Sequence, residues 1–194
     1  MSMQSFARWA LGSMAIAEGV AAWSRFDMRT RLFMAAAKRA RSLQRSLVVI
    51  GDPDAGLHTR RAYDCGDVCV DANGCPMCPV VQVADITAGP IPGIATNSVV
   101  VFVSCVLEYV GDLPAALREI QRIAGDLDNI YIVTVQPWTL TASLYPGAQW
   151  AGIADKHVVA MARVTTAHKA IVAGVLAGAS LLALWPARRK EEAP

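Results

Sequence analysis

Residues 170–185 read Ala-Ile-Val-Ala-Gly-Val-Leu-Ala-Gly-Ala-Ser-Leu-Leu-Ala-Leu-Trp without one charge, so any fold of this chain must place that run in a bilayer or in a core. Sixteen residues at about 1.5 Å each fall short of a hydrocarbon layer of about 30 Å. Extending back to Thr165, with His168 and Lys169 snorkelling, gives about 31 Å, a short but sufficient span. Trp185 stands where an interfacial aromatic belongs, and Arg188, Arg189 and Lys190 suit a headgroup contact. The expectation is a transmembrane helix over residues 165–187 with a mixed basic and acidic tail over 188–194. Ala170, Gly174 and Gly178 recur every four residues and predict a flat face for helix–helix self-association.

The other end of the chain is apolar too, but less cleanly. Residues 9–23 lie between Arg8 and Arg25 with Trp at both ends, and Glu18 in the middle argues against a simple span. Residues 29–45 alternate Leu32, Phe33, Ala36 and Ala40 with six basic side chains, the pattern of a basic amphipathic helix. Residues 1–45 therefore read as a helical arm for an anionic membrane surface or for docking on the rest of the chain. Charge separates the two parts: residues 1–46 carry eight basic and two acidic side chains, residues 47–155 four basic and twelve acidic. A globular part with a net charge of −8 is a poor nucleic-acid binder, since phosphate neutralisation needs clustered cations, and no nucleic-acid partner is expected.

Between these ends, residues 46–164 of the 194 suffice for one domain and exclude a second catalytic one. Short β-branched runs at 47–50, 67–71, 80–84, 98–104 and 129–135 predict strands. Asp112 as N-cap, Pro114 in the first turn and Gly125 at the end frame a helix with Leu113, Leu117, Ile120 and Ile123 on one face. Residues 157–164 offer one further strand. The expected fold class is α/β, a doubly wound and mostly parallel sheet, shortened, flanked by the apolar N-terminal helix and the C-terminal transmembrane helix.

In such sheets ligands sit beyond the carboxyl ends of the strands, where the strand order reverses. That rule collects residues 51–56, Asp71, Asp85 and residues 104–109. Asp71 follows Gly51 by 20 residues, the separation of a carboxylate that binds ribose hydroxyls. Residues 46–135 resemble the class I S-adenosylmethionine-dependent methyltransferases. The resemblance is carried above all by the run from Val99 through Leu107-Glu108-Tyr109-Val110 to Ala124, where the family has Leu-Glu-His-Val before Ala-Leu-x-Glu. It implies a Rossmann-like fold, S-adenosylmethionine as cofactor, and Gly51, Asp52, Asp54 and Gly56 in the turn near its methionine part. It further implies Asp71 at the ribose, Asp85 by the adenine, and Ser104, Cys105, Glu108 and Tyr109 around the methyl-transfer pocket. The chain departs from the family in its first motif: Val49 replaces an acid, and Pro53 and Ala55 replace glycines. Proline has no N–H to offer a ligand there. Together with the apolar C-terminal run, the resemblance leads to the expectation of a membrane-anchored methyltransferase acting on a small or lipid-proximal nucleophile, with its domain expected on the cytoplasmic side. The alternative is a catalytically inactive subunit of the same fold serving as a membrane scaffold or assembly protein.

Cys65, Cys69, Cys75 and Cys78 crowd one short window, open to zinc, to disulfides or to free thiols. The apolar strand around Cys69 favours reduced, unliganded thiols with no metal. His58 reads as a surface or packing residue. Pro137-Trp138 and Tyr145-Pro146 read as packing aromatics rather than a cap on the pocket.

Overall fold

The computed structural model describes residues 2–51, 65–145 and 147–184. It opens with one helix, α1 (Met3–Leu43), in place of an apolar segment and a separate basic helix. No proline precedes Pro53, so nothing interrupts the backbone ladder. The helix starts where the Ser2 side chain accepts from the Ser5 amide at 3.1 Å, and ends at Gln44 in the left-handed conformation.

Five parallel strands follow: β1 (Ser46–Ile50), β2 (Val68–Asp71), β3 (Val81–Val83), β4 (Val99–Ser104) and β5 (Ile130–Val133). Their order across the sheet is β3-β2-β1-β4-β5, so the direction of progression reverses between β1 and β4. β4 is buried along its whole length, as its run of β-branched residues requires. Val99, Val101 and Val103 face α2 (Leu113–Ala124), meeting Ala116, Ile120 and Ile123. Val100 and Phe102 face the other way, where Phe33, Ala36 and Ala40 of α1 cover them. The amphipathic stretch of α1 therefore docks on the sheet, and α1, sheet and α2 form three layers. Asp112 caps α2 by accepting from the Ala115 amide at 2.9 Å, and Gly125 ends it with φ of +73°.

After β5 come α3 (Leu140–Leu144), then β6 (Trp150–Ala154) and β7 (Val159–Arg163), which pair antiparallel as a sheet of their own. Only β7 was expected from the sequence. The last element, α4 (Thr166–Leu184), is long and apolar enough to cross a membrane by length and composition, the one such helix among the described residues. It lies along the first half of α1. Arg8 Nε donates to the Ala183 carbonyl at 2.9 Å near one end, while at the other Lys169 Nζ donates to Tyr145 O at 3.1 Å. The Glu18 carboxylate accepts from the Leu140 amide, so α1 and α4 run in opposite directions. Ala170, Gly174 and Gly178 point away from this contact, and a Cβ on either glycine would meet nothing within 4 Å.

The four clustered cysteines are not free thiols. Cys65 is bonded to Cys78 and Cys69 to Cys75, with Cα separations of 5.5 and 6.6 Å. The burial inferred for Cys69 is correct, but its sulfur is bridged rather than packed as a lone apolar group. The β2–β3 connection folds the chain back on the strand and brings residues six and thirteen positions apart within bonding reach.

Candidate functional site

A cavity of about 1070 Å³ opens at the carboxyl ends of β1, β2 and β4, at the reversal of strand order. Its floor begins at Gly51, whose amide donates to Val70 O at 2.8 Å. Gly51 has φ of +104°, and a Cβ there would lie 2.4 Å from Val106 Cγ2 and 2.9 Å from Ser104 O. Only glycine lets β1 leave the sheet so close to the end of β4.

Asp71 and Asp85 both line the cavity, from the end of β2 and from just after β3. Each uses one carboxylate oxygen to build its own turn. Asp71 Oδ1 accepts from the Asn73 amide at 2.7 Å, and Asp85 Oδ1 accepts from the Thr87 amide and hydroxyl, both at 2.8 Å. These turns fix the acids at the rim.

On the β4 side the wall is Ser104, Cys105, Val106 and Tyr109. Cys105 has φ of +50°, an uncommon conformation for a residue other than glycine, and its amide donates to Val133 O at 2.8 Å. Burial, helped by the nearby Glu108 charge, pushes its thiol up to about 12. It is therefore protonated at neutral pH and is no nucleophile. The same causes push the Tyr109 phenol up to about 12. Tyr109 also meets Tyr145 edge to face at 5.4 Å, and Tyr145 lines the cavity. The aromatic read as packing alone thus contributes to the wall, whereas Trp138 is exposed.

Glu108 takes a different place from its neighbours. It is 1% exposed, does not line the cavity, and its carboxylate accepts from the Val135 amide. Its carbonyl accepts from the Gln149 and Trp150 amides at 2.7 and 3.0 Å. It therefore ties the ends of β4 and β5 to the β6–β7 pair. Burial pushes its carboxyl up to about 7, against the pull of the Val135 hydrogen bond and the Arg25 charge.

The third wall was not expected from the sequence. Glu18, Gly19, Ala22, Arg25, Phe26 and Arg29 of α1 line the cavity. The signal was Glu18, an acid in an apolar run, which marked a place where the helix meets polar protein rather than lipid. Asp52, Pro53, Asp54, Ala55, Gly56 and His58 lie outside the described residues, as do Pro146, Trp185 and the basic tail. A second hollow of about 560 Å³, between Arg39, Arg45, Asn97 and Asn129, is at the amino end of β4 and holds none of the expected site residues.

The described residues thus define an α/β domain with a five-stranded parallel sheet, a cavity at its switch point and one helix able to cross a membrane. Comparison with family models, with curated proteins and with solved structures finds no match for this chain.

Proposed function

We propose that this chain is a membrane-attached S-adenosylmethionine-binding protein of the methyltransferase fold, acting on a small or lipid-proximal nucleophile. The observation that carries the reading is the placement of Asp71 and Asp85 on successive strand ends around one cavity, with Gly51 at its floor. Two carboxylates so placed suit the ribose hydroxyls and the adenine amine of a nucleoside. In methyl transfer the cofactor's sulfonium supplies the reactivity, and the protein aligns the acceptor for in-line displacement. Ser104, Cys105 and Tyr109 form the wall where the acceptor would lie. The neutral thiol and phenol leave positioning as their role.

The surface of α4 supports attachment through it. Ile171, Val175, Leu181, Leu182 and Leu184 all point outward, and beside them α1 exposes Phe6, Trp9, Ile16, Val20 and Trp23. An apolar surface of that extent on two adjoining helices suits lipid rather than water. The cavity receives residues from the middle of α1, next to this apolar pair, which suits an acceptor held at a bilayer surface.

Isothermal titration of the full chain in detergent with S-adenosylmethionine tests the reading. Binding in the wild type, weakened by roughly 1.5–3 kcal/mol in Asp71→Ala, is the expected result. No heat of binding by a folded chain would overturn the cofactor assignment and favour the scaffold alternative.

A further inference from the structure

We propose that Cys65, Cys69, Cys75 and Cys78 are a zinc site in the reduced protein, exchanging with the two disulfides as the redox state changes. The four side chains form a buried cluster containing no other residue. Among the described residues, no other buried side chain joins the four sulfurs in this cluster. The Sγ atoms of Cys69, Cys75 and Cys78 all lie within 4.8 Å of one another, and Cys65 is joined to Cys78. Zinc–sulfur bonds of about 2.3 Å in a tetrahedron put the sulfurs about 3.8 Å apart, so the three sulfurs within 4.8 Å of one another need only small shifts, and Cys65 completes the set once its bond to Cys78 opens.

The local backbone suits a metal. Cys75-Pro-Met-Cys78 is a tight turn in which the Cys78 amide donates to Cys75 O at 3.0 Å, presenting two sulfurs from one loop. Cys69 is fixed by the β2 ladder, its backbone neighbours paired with β1 and β3. Four thiolates select a soft or borderline ion, and a closed set of four with no open position makes a structural site rather than a catalytic one. Cys105, the remaining cysteine, lies at the end of β4 and belongs to the cavity wall. In a reducing compartment thiols stay reduced, and a cysteine cluster of this spacing then holds metal.

The exchange balances. A phosphine or dithiol reductant, two equivalents per chain, delivers four electrons and opens both S–S bonds to four thiols; zinc then displaces four protons. In reverse, two equivalents of hydrogen peroxide remove four electrons from the four thiolates and take four protons from solvent; both S–S bonds form again, the peroxide leaves as four waters and the ion is released. This inference does not depend on cofactor binding, although the cluster clamps the loop that begins with Asp71.

The test uses the full chain in detergent, reduced with a phosphine under argon and titrated with Co²⁺ and then Zn²⁺. Expected are one metal per chain, the absorption of tetrahedral cobalt thiolate, bleaching by zinc, and zinc release with recovery of both disulfides on adding hydrogen peroxide. Cys75→Ser should lose the cobalt spectrum, and Cys105→Ser should keep it. If the reduced chain unfolds, recovery of its circular dichroism on adding zinc supports the proposal equally. A reduced chain with free thiols that gives no tetrahedral thiolate spectrum overturns it. So does a spectrum that survives Cys75→Ser, or an unfolded chain that zinc does not restore.

Discussion

The ring of Phe33 on α1 meets the ring of Phe102 on β4 edge to face, with centroids 5.5 Å apart and planes at 82°. This contact centres the helix on the sheet, since Ala36, Ala40, Val49 and Val100 pack around it. Phe33→Ala should cost about 3–5 kcal/mol, combining the cavity left behind with the lost aromatic contact. Phe33→Leu should cost less than half as much. Denaturant unfolding in detergent measures both, and a loss below about 1 kcal/mol for Phe33→Ala would show that the helix does not depend on this contact.

Glu108 predicts a pH dependence of stability. Its carboxyl, pushed up to about 7 from an ordinary 4.5, binds a proton more tightly in the folded chain than in the unfolded one. Below about pH 4.5 both states are protonated and the group costs nothing. Stability then falls as pH rises toward 7, and above it the whole cost of a buried charge is felt, at most roughly 3 kcal/mol. Glu108→Gln keeps an acceptor for the Val135 amide and removes the charge. It should be more stable than the wild type at pH 8 and no more stable at pH 4; equal slopes of unfolding free energy between these values would refute the assignment.

Gly51→Ala should damage both fold and cavity. The added Cβ meets Val106 and the Ser104 carbonyl, and φ of +104° is unfavourable for alanine. A loss of more than about 1 kcal/mol is expected. If the cavity binds S-adenosylmethionine, the affinity should fall with it. An alanine variant of unchanged melting temperature would show that β1 leaves the sheet by another path.

Deleting residues 165–194 tests membrane attachment. Most of the shortened chain should move to the aqueous fraction after membrane washing, with a remainder held by the exposed apolar residues of α1. A full-length chain that is monomeric and soluble without detergent would rule out the bilayer as the partner of α4.

The layers of the domain were legible where one residue type dominates a run. The strands at 47–50 and 98–104 and the helix from Leu113 to Ala124 agree with the structure within a residue, because β-branched runs, an aspartate cap and a terminal glycine act locally. β6 escaped because Trp-Ala-Gly-Ile-Ala has too little β-branched character, and its pairing with β7 supplies what the segment lacks. The continuity of α1 escaped as well. Its outer surface changes from apolar to basic between Trp23 and Arg31, and that change of surroundings imitates a boundary that the backbone does not have. Asp71, Asp85 and Tyr109 were placed at the site by strand ends alone, whereas Arg25 and Arg29 reach it only because a distant helix crosses there. The disulfide partners of Cys65 and Cys69 depend on how one loop folds back, which spacing does not encode.

An unbroken helix of about 62 Å also imposes a phase. Ala7 and Ala21, which are buried in the half of α1 beside α4, and Phe33, Ala36 and Ala40, which meet the sheet, fall within one arc of about 120° around the helix. The two contacts are therefore locked in rotation by the number of residues between them. One alanine inserted after Ser24 would turn either α4 or the sheet through about 100° relative to the other, whereas seven, close to two full turns, would nearly restore the alignment. Variation in length is consequently confined to whole turns along this segment, and a cavity wall built from Glu18, Arg25 and Arg29 is tuned by counting as much as by chemistry.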